Sequence, residues 1–208
     1  MRLTDRFVGC MICILLILTI AVSCSTIPKL KVTYRLPPES GELEGKKIHL
    51  TFKDTREVKD LLGESAKKEF KYFSGNISLS IAKDNAKGSL IGIFDIRSLF
   101  IETFNRKLER MGLTVVSGGG NGQTELVIVL TEFVLDLVNR RWVARMSYEA
   151  RIVKSGNILA RQTINGEAER LKLVGRSQAD IVMDDIFTDV INRLDVEKLF
   201  KNASQHDL

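Results

Sequence analysis

From residue 46 onward the chain switches between two hydrophobic periods. Ile48, Leu50 and Phe52 are separated by polar residues, which predicts a strand with those three on one face. Ile77, Leu79 and Ile81 alternate with serines and predict a second strand. Between them, residues 53–75 are polar and hold no sustained period, and Asp54-Thr55-Arg56 reads as a turn. Ile96, Leu99, Phe100, Phe104, Leu108 and Met111 then recur at helical spacing. Asp95 is placed to cap that helix, and Gly112 stands where a left-handed residue ends one. A short strand over 113–116 and a glycine-rich turn over 117–122 follow.

Three long strands come next, over 126–138, 142–153 and 158–171, joined by Asn139-Arg140-Arg141 and Ser155-Gly156-Asn157. The middle one alternates most cleanly: Trp142, Ala144, Met146, Tyr148, Ala150 and Ile152 face one side. A second helix opens at Ser177, where Ser177-Gln178-Ala179-Asp180 reads as a capping box with Asp in place of Glu. Ala179, Val182, Ile186, Val190 and Leu194 form its stripe, and Asp195 caps a last short helix over 196–200. Two apolar helix stripes need an apolar sheet face to cover. The expected class is α+β: an antiparallel meander sheet with two amphipathic helices packed on one face, one domain over 46–203 and a polar tail over 204–208.

The N-terminal pattern is different. Residues 7–22 carry no charge and, as a helix, span ~24 Å at ~1.5 Å per residue. That is short for a bilayer core of ~30 Å and suits the apolar region of a signal peptide. Ala21-Val22-Ser23-Cys24 then places a small residue before a cysteine. This resembles a bacterial lipobox, which implies removal of 1–23, lipidation of Cys24 and membrane attachment through that anchor. An uncleaved signal anchor with a chance cysteine is the alternative. In the enteric sorting pattern Asp after the cysteine retains a lipoprotein at the inner membrane. Ser25 therefore points to the outer membrane, facing the periplasm, with the inner membrane as the alternative. Cys10 and Cys13 would be discarded with the signal, so their spacing is neither a redox nor a metal motif. All three prolines fall in 25–45, expected to form a mostly extended tether of at most ~70 Å at ~3.3 Å per residue, with Leu30, Val32, Tyr34 and Leu36 alternating as a short edge strand within it.

Composition narrows the chemistry. The 208 residues carry 31 basic and 26 acidic side chains, net +5, with no basic arm, so nucleic acid is not an expected partner. Two histidines, His49 and His206, have no evident partner, and no catalytic residue, metal site or cofactor is expected. The glycine turn lacks the Lys-Ser/Thr of a phosphate loop and precedes a strand. Asp184-Asp185 reads as a solvated helix face, and Glu167 and Glu169 share a strand face without a third ligand. The strand over 126–138 is apolar on both sides. With helices on one, the other, read as Leu126, Ile128, Leu130 and Val134, is a candidate face for a protein or lipid partner. Cover from 53–75 or 30–36 is the plainer reading.

Together these features resemble the YajG family of bacterial lipoproteins over nearly the whole mature chain. The resemblance is carried by Cys24, by Asp54-Thr55-Arg56 after the first strand, and by the 96–111 helix closed by Gly112-Leu113-Thr114-Val115. It continues through the paired strands 126–138 and 142–153, Gly166, Ala179-Asp180-Ile181, and Asp195 with Lys198-Leu199. The segment 53–94 is longer than the family's, and Ala21 replaces the commoner Leu. The layout is also similar to lipopolysaccharide-assembly lipoproteins of the LptE type and to auxiliary lipoproteins of ABC transporters. The resemblance implies a non-enzymatic role in the bacterial envelope and supplies no reaction.

Overall fold

A computed structural model describes residues 30–83, 86–118, 123–173 and 175–206. The apolar segment 1–23, Cys24 and residues 119–122 of the glycine turn lie outside them. The chain order is β1 (Leu30–Arg35), β2 (Lys47–Asp54), α1 (Glu64–Glu69), β3 (Ile77–Ala82), β4 (Ser89–Phe94) and α2 (Ile96–Arg110), followed by β5 (Thr114–Val116), β6 (Thr124–Val138), β7 (Arg141–Lys154), β8 (Asn157–Leu171), α3 (Ser177–Asn192) and α4 (Val196–His206).

The class is α+β, as the periodicities imply, but the strands divide into two sheets of mixed direction. The larger has the order β5-β2-β6-β7-β8 and the smaller β1-β3-β4. β6, β7 and β8 form the expected antiparallel meander, whereas β2 runs parallel to both β5 and β6, and β1 runs parallel to β3. Parallel pairing needs a crossover, and α2 lies in the one between β2 and β5. Both meander hairpins turn through two left-handed residues, Asn139-Arg140 and Ser155-Gly156. That geometry matches the right-handed twist of the flanking strands.

α2, α3 and α4 cover the inner face of the large sheet, and the small sheet continues that layer beside α3. Aromatic rings join the layers. Phe52 of β2 and Phe133 of β6 meet Phe100 of α2 at 5.2 and 5.4 Å between ring centroids. Phe104 meets Tyr148 of β7 at 5.6 Å, and Phe187 of α3 meets Phe100 at 5.5 Å. The six inward residues expected on β7 are all fully buried. Gly166 on β8 permits the approach of α3: a Cβ there would stand 2.7 Å from Val190 and 2.9 Å from Ile186. The helix-end signals at α2 operate as drawn. Asp95 accepts from the Ser98 N–H at 2.7 Å, and Gly112, at φ +87°, is followed by a Leu113 N–H to Leu108 carbonyl bond of 3.1 Å.

The stretch expected as a tether is largely folded. Leu30, Val32 and Tyr34 are fully buried and Leu43 nearly so, placing residues 30–45 within the domain. Three alternating apolar residues find a partner in β3, because no proline falls within 30–35: Pro28 precedes the strand and Pro37 follows it. β4 has no counterpart among the expected strands, since its run Ser-Leu-Ile-Gly-Ile-Phe does not alternate with polar residues. The last helix runs to His206 instead of stopping at residue 200.

Candidate interaction surfaces

The strand expected to present a partner face does not present it. Leu126, Ile128 and Leu130 are fully buried in the core together with Phe133 and Leu135, and Val134 is half-buried on the other side. The reason is a register shift between Leu130 and Glu132. One extra residue, Thr131, reverses the alternation, so the inward set runs 126, 128, 130, then 133 and 135. Simple alternation cannot reveal such a bulge. On the outer face, Val127 and Val129 are buried as well, opposite Arg151 and Glu149, which are ion-paired with each other.

Asp54-Thr55-Arg56 holds that bulge. The Thr55 N–H and hydroxyl both donate to the Leu130 carbonyl at 2.9 Å, and the Arg56 guanidinium donates to the Phe133 carbonyl at 3.2 Å. Arg56 is buried and bound to both Asp54 oxygens, at 3.0 and 2.8 Å. Burial alone would raise the Asp54 carboxyl, but hydrogen bonds from Arg56 and Lys59 hold it down at about 2. Residues 61–63 continue the cover along β6. Leu135 N–H donates to the Leu61 carbonyl and Gly63 N–H to the Leu135 carbonyl, at 2.8 and 2.9 Å. The unassigned segment 53–75 is thus a brace for β6.

α3 carries a polar stripe that the sequence reading assigned elsewhere. Asp180 accepts from the Lys31 N–H at 3.0 Å, Asp184 from the Thr33 N–H at 2.5 Å and Thr188 from the Arg35 N–H at 3.2 Å. Thr188 donates back to the Thr33 carbonyl, and Asn192 to the Arg35 carbonyl. Helical positions four apart rise ~6.0 Å, and alternate strand residues ~6.6 Å. The two repeats match closely enough for one helix face to stand in for a neighbouring strand. Asp180 therefore faces β1 and closes no capping box, and Asp184 is half-buried, not solvated. Burial pushes Asp184 up to about 6 against the Thr33 hydrogen bond, and raises Asp180 likewise. Asp185 does face outward, pairing with Arg35 and Arg170. At the far end of α3 the fully buried Lys107 ammonium donates to the carbonyls of Ile191, Asn192 and Leu194 at 2.8, 3.4 and 2.7 Å. Burial draws its pKa down to about 7, with the Asp195 charge acting the other way.

Two exposed surfaces among the described residues place apolar side chains at a strand edge or beside cations. The first is the outer edge of β4, which among the described residues pairs only with β3 and carries Leu90 and Ile93, 67% and 49% exposed. The second is one end of the large sheet. There the β6–β7 turn and the segment after β8 are joined by a Lys172 N–H to Arg140 carbonyl bond of 2.8 Å. Lys68, Glu69, Arg140, Lys172 and Leu173 line a groove of about 460 Å³ at this end. Val138, Leu171 and Leu173 are exposed beside it. Lys172 pairs with Glu69, and Arg176 lies over the Phe70 ring at 5.3 Å. Among the described residues, the Arg140 and Lys68 side chains make no ion pair.

His49 stands half-buried on β2 with Nδ1 at 3.1 Å from the Val116 carbonyl. Glu167 and Glu169 sit on the outer side of β8, where Glu169 pairs with Arg141. Among the described residues no group of three or more His, Cys, Asp or Glu converges, and no helix is long and apolar enough to cross a membrane.

No family model and no curated protein matches the chain. Solved structures do match. Lipoprotein GNA1162 from Neisseria meningitidis aligns at a TM-score of 0.29 and 13% identity, over 71% of this chain and 99% of that one. A protein described as a neuraminyllactose-binding hemagglutinin homolog from Helicobacter pylori aligns at 0.38 and 12% identity, over 81% and 96%. Both scores are too low to support an argument. Protein XCC0632 from Xanthomonas campestris, of family DUF330, aligns at 0.56 and 13% identity over 86% of this chain and 98% of that one, so this chain shares its overall fold.

Proposed function

We propose that the protein is a bacterial lipoprotein, acylated at Cys24 and held on the periplasmic side of the outer membrane, that serves the envelope through protein or lipid contacts without catalysing a reaction. The observation that carries this reading is the order along the chain. An apolar run ends in Ala21-Val22-Ser23-Cys24, and Leu30, the first residue of β1, is already fully buried. The resemblance to YajG-type lipoproteins supports it. Mass spectrometry of the mature protein tests it: the expected N-terminus is a triacylated Cys24. An intact Met1 or an unmodified thiol would sink the reading, and Cys24→Ser is expected to release the protein from membranes.

A second reading, an accessory to a lipid or lipopolysaccharide export machine or an ABC transporter, is favoured by the bare apolar edge of β4. Exposed strand edges are common places for a partner to add a strand. A photo-crosslinker at Ile93 in native membranes separates the two. Adducts with one transporter or barrel protein support the accessory role, and their absence counts against it.

A further inference from the structure

We infer that the end of the domain bearing Val138, Arg140, Leu171, Lys172, Leu173 and Arg176 rests on an anionic lipid surface, the headgroup layer of the membrane that holds Cys24. This rests on the lipoprotein reading and adds an orientation to it.

The first argument is reach. Six peptide steps separate Cys24 from Leu30 and span at most ~20 Å. No slack is available beyond them, because Leu30, Val32 and Tyr34 are locked in the core and β1 is bonded along both edges. The start of β1 is therefore confined to a shell close to the bilayer.

The second is direction. Lys31 donates to Asp180 in the first turn of α3, and Arg176 immediately precedes that helix. The Asp180 carboxylate feels the charges of both Lys31 and Arg176. Arg176 in turn donates to the Glu69 carbonyl, and Glu69 pairs with Lys172. The chain thus leads toward Cys24 from the same end that carries the apolar and basic residues.

The third is complementarity. Leu171 and Leu173 are 55% and 60% exposed, and Val138 is exposed on the adjoining turn. Single exposed apolar residues are ordinary, but three on adjoining segments rimmed by cations match a lipid interface. Glu169, Asp185 and Glu69 are each already engaged, by Arg141, Arg170 and Lys172. Arg140 and Lys68 remain to meet lipid phosphates. Arg140 also holds a left-handed turn position, φ 62°, and is exposed at the tip of the β6–β7 hairpin. The position aims a cation outward from the tip of the hairpin.

The test uses the full-length acylated protein in vesicles of phosphatidylcholine, with or without phosphatidylglycerol. A fluorophore is placed at Leu173→Cys or, at the opposite end of the meander, at Ser155→Cys, and quenched by headgroup-labelled lipid. The expected result is strong quenching at 173 and little at 155, in the anionic vesicles only. Arg140→Glu is expected to lower the docked population about fivefold or more, since each cation near an anionic surface contributes ~1 kcal/mol. Equal, weak quenching at both positions in protein that still floats with the vesicles overturns the inference and leaves the lipid anchor standing. Quenching at 173 that ignores phosphatidylglycerol and Arg140→Glu overturns the anionic part. Failure to float at all removes the lipoprotein reading itself.

Discussion

The small sheet has two edges, and the protein treats them in opposite ways. The β1 edge is closed by Asp180, Asp184, Thr188 and Asn192, which bond its N–H groups and carbonyls from one face of α3. Among the described residues the β4 edge carries no such cover and exposes Leu90 and Ile93. A bare strand edge invites another chain, so proteins usually shield or charge it. The long edge strand β8 follows that rule, with Arg161, Glu167, Glu169 and Arg170 along it. The contrast shows that sealing β1 serves the fold, by fixing the first strand of the domain, whereas β4 is left free to pair.

The comparison can be broken most severely through Lys107, which holds the end of the sealing helix. Lys107→Ala removes the ammonium from the Ile191, Asn192 and Leu194 carbonyls, leaving the buried Leu194 carbonyl without its donor, and is expected to cost about 3 kcal/mol in urea unfolding. A loss below ~1 kcal/mol would mean that the helix end is held by its other contacts. Asp184→Ala strands the Thr33 N–H and is expected to cost ~1–2 kcal/mol, with faster hydrogen exchange confined to β1.

Smaller still is the effect of titration. The Asp184 pKa is raised to about 6, so its contribution to stability is complete below the ordinary Asp value of ~3.9 and is lost as pH rises through about 6. Asp184→Asn keeps an acceptor for Thr33 and removes the proton, so the stability difference from wild type should change across that window and be flat above it. The opposite slope belongs to Lys107. Its lowered pKa makes stability fall as pH drops through about 7. At the bare edge, Leu90→Lys with Ile93→Lys should change stability by no more than ~0.5 kcal/mol. Crosslinking of β4 to a membrane partner should fall, and unchanged crosslinking would remove β4 as a pairing edge.

How far these features were legible follows from their range. The β7 face, the Asp95 cap and Gly112 were readable because each depends on residues a few positions apart. The α3 stripe left a signal too: Asp180, Asp184, Thr188 and Asn192 are short hydrogen-bonding residues of poor helix propensity, spaced by four. What they bond, a strand about 150 positions away, carried no local mark. The basic end was half visible, in Arg140-Arg141. Its apolar members, Leu171 and Leu173, gained meaning only when the turn and the chain after β8 came together.

Sequence alone determined the α+β class, α2, α3 and the start of α4, the meander strands, and the cysteine at the close of an apolar run. These are set by side-chain period and by short-range hydrogen bonding, which the order of residues states directly. Tertiary structure decided that β2 runs parallel to β6, that one residue at Thr131 turns Leu126, Ile128 and Leu130 inward, and that β1 belongs to the core and not to a tether. Each of those outcomes depends on which distant group satisfies a buried backbone donor or acceptor, and that choice is made only when the whole chain packs.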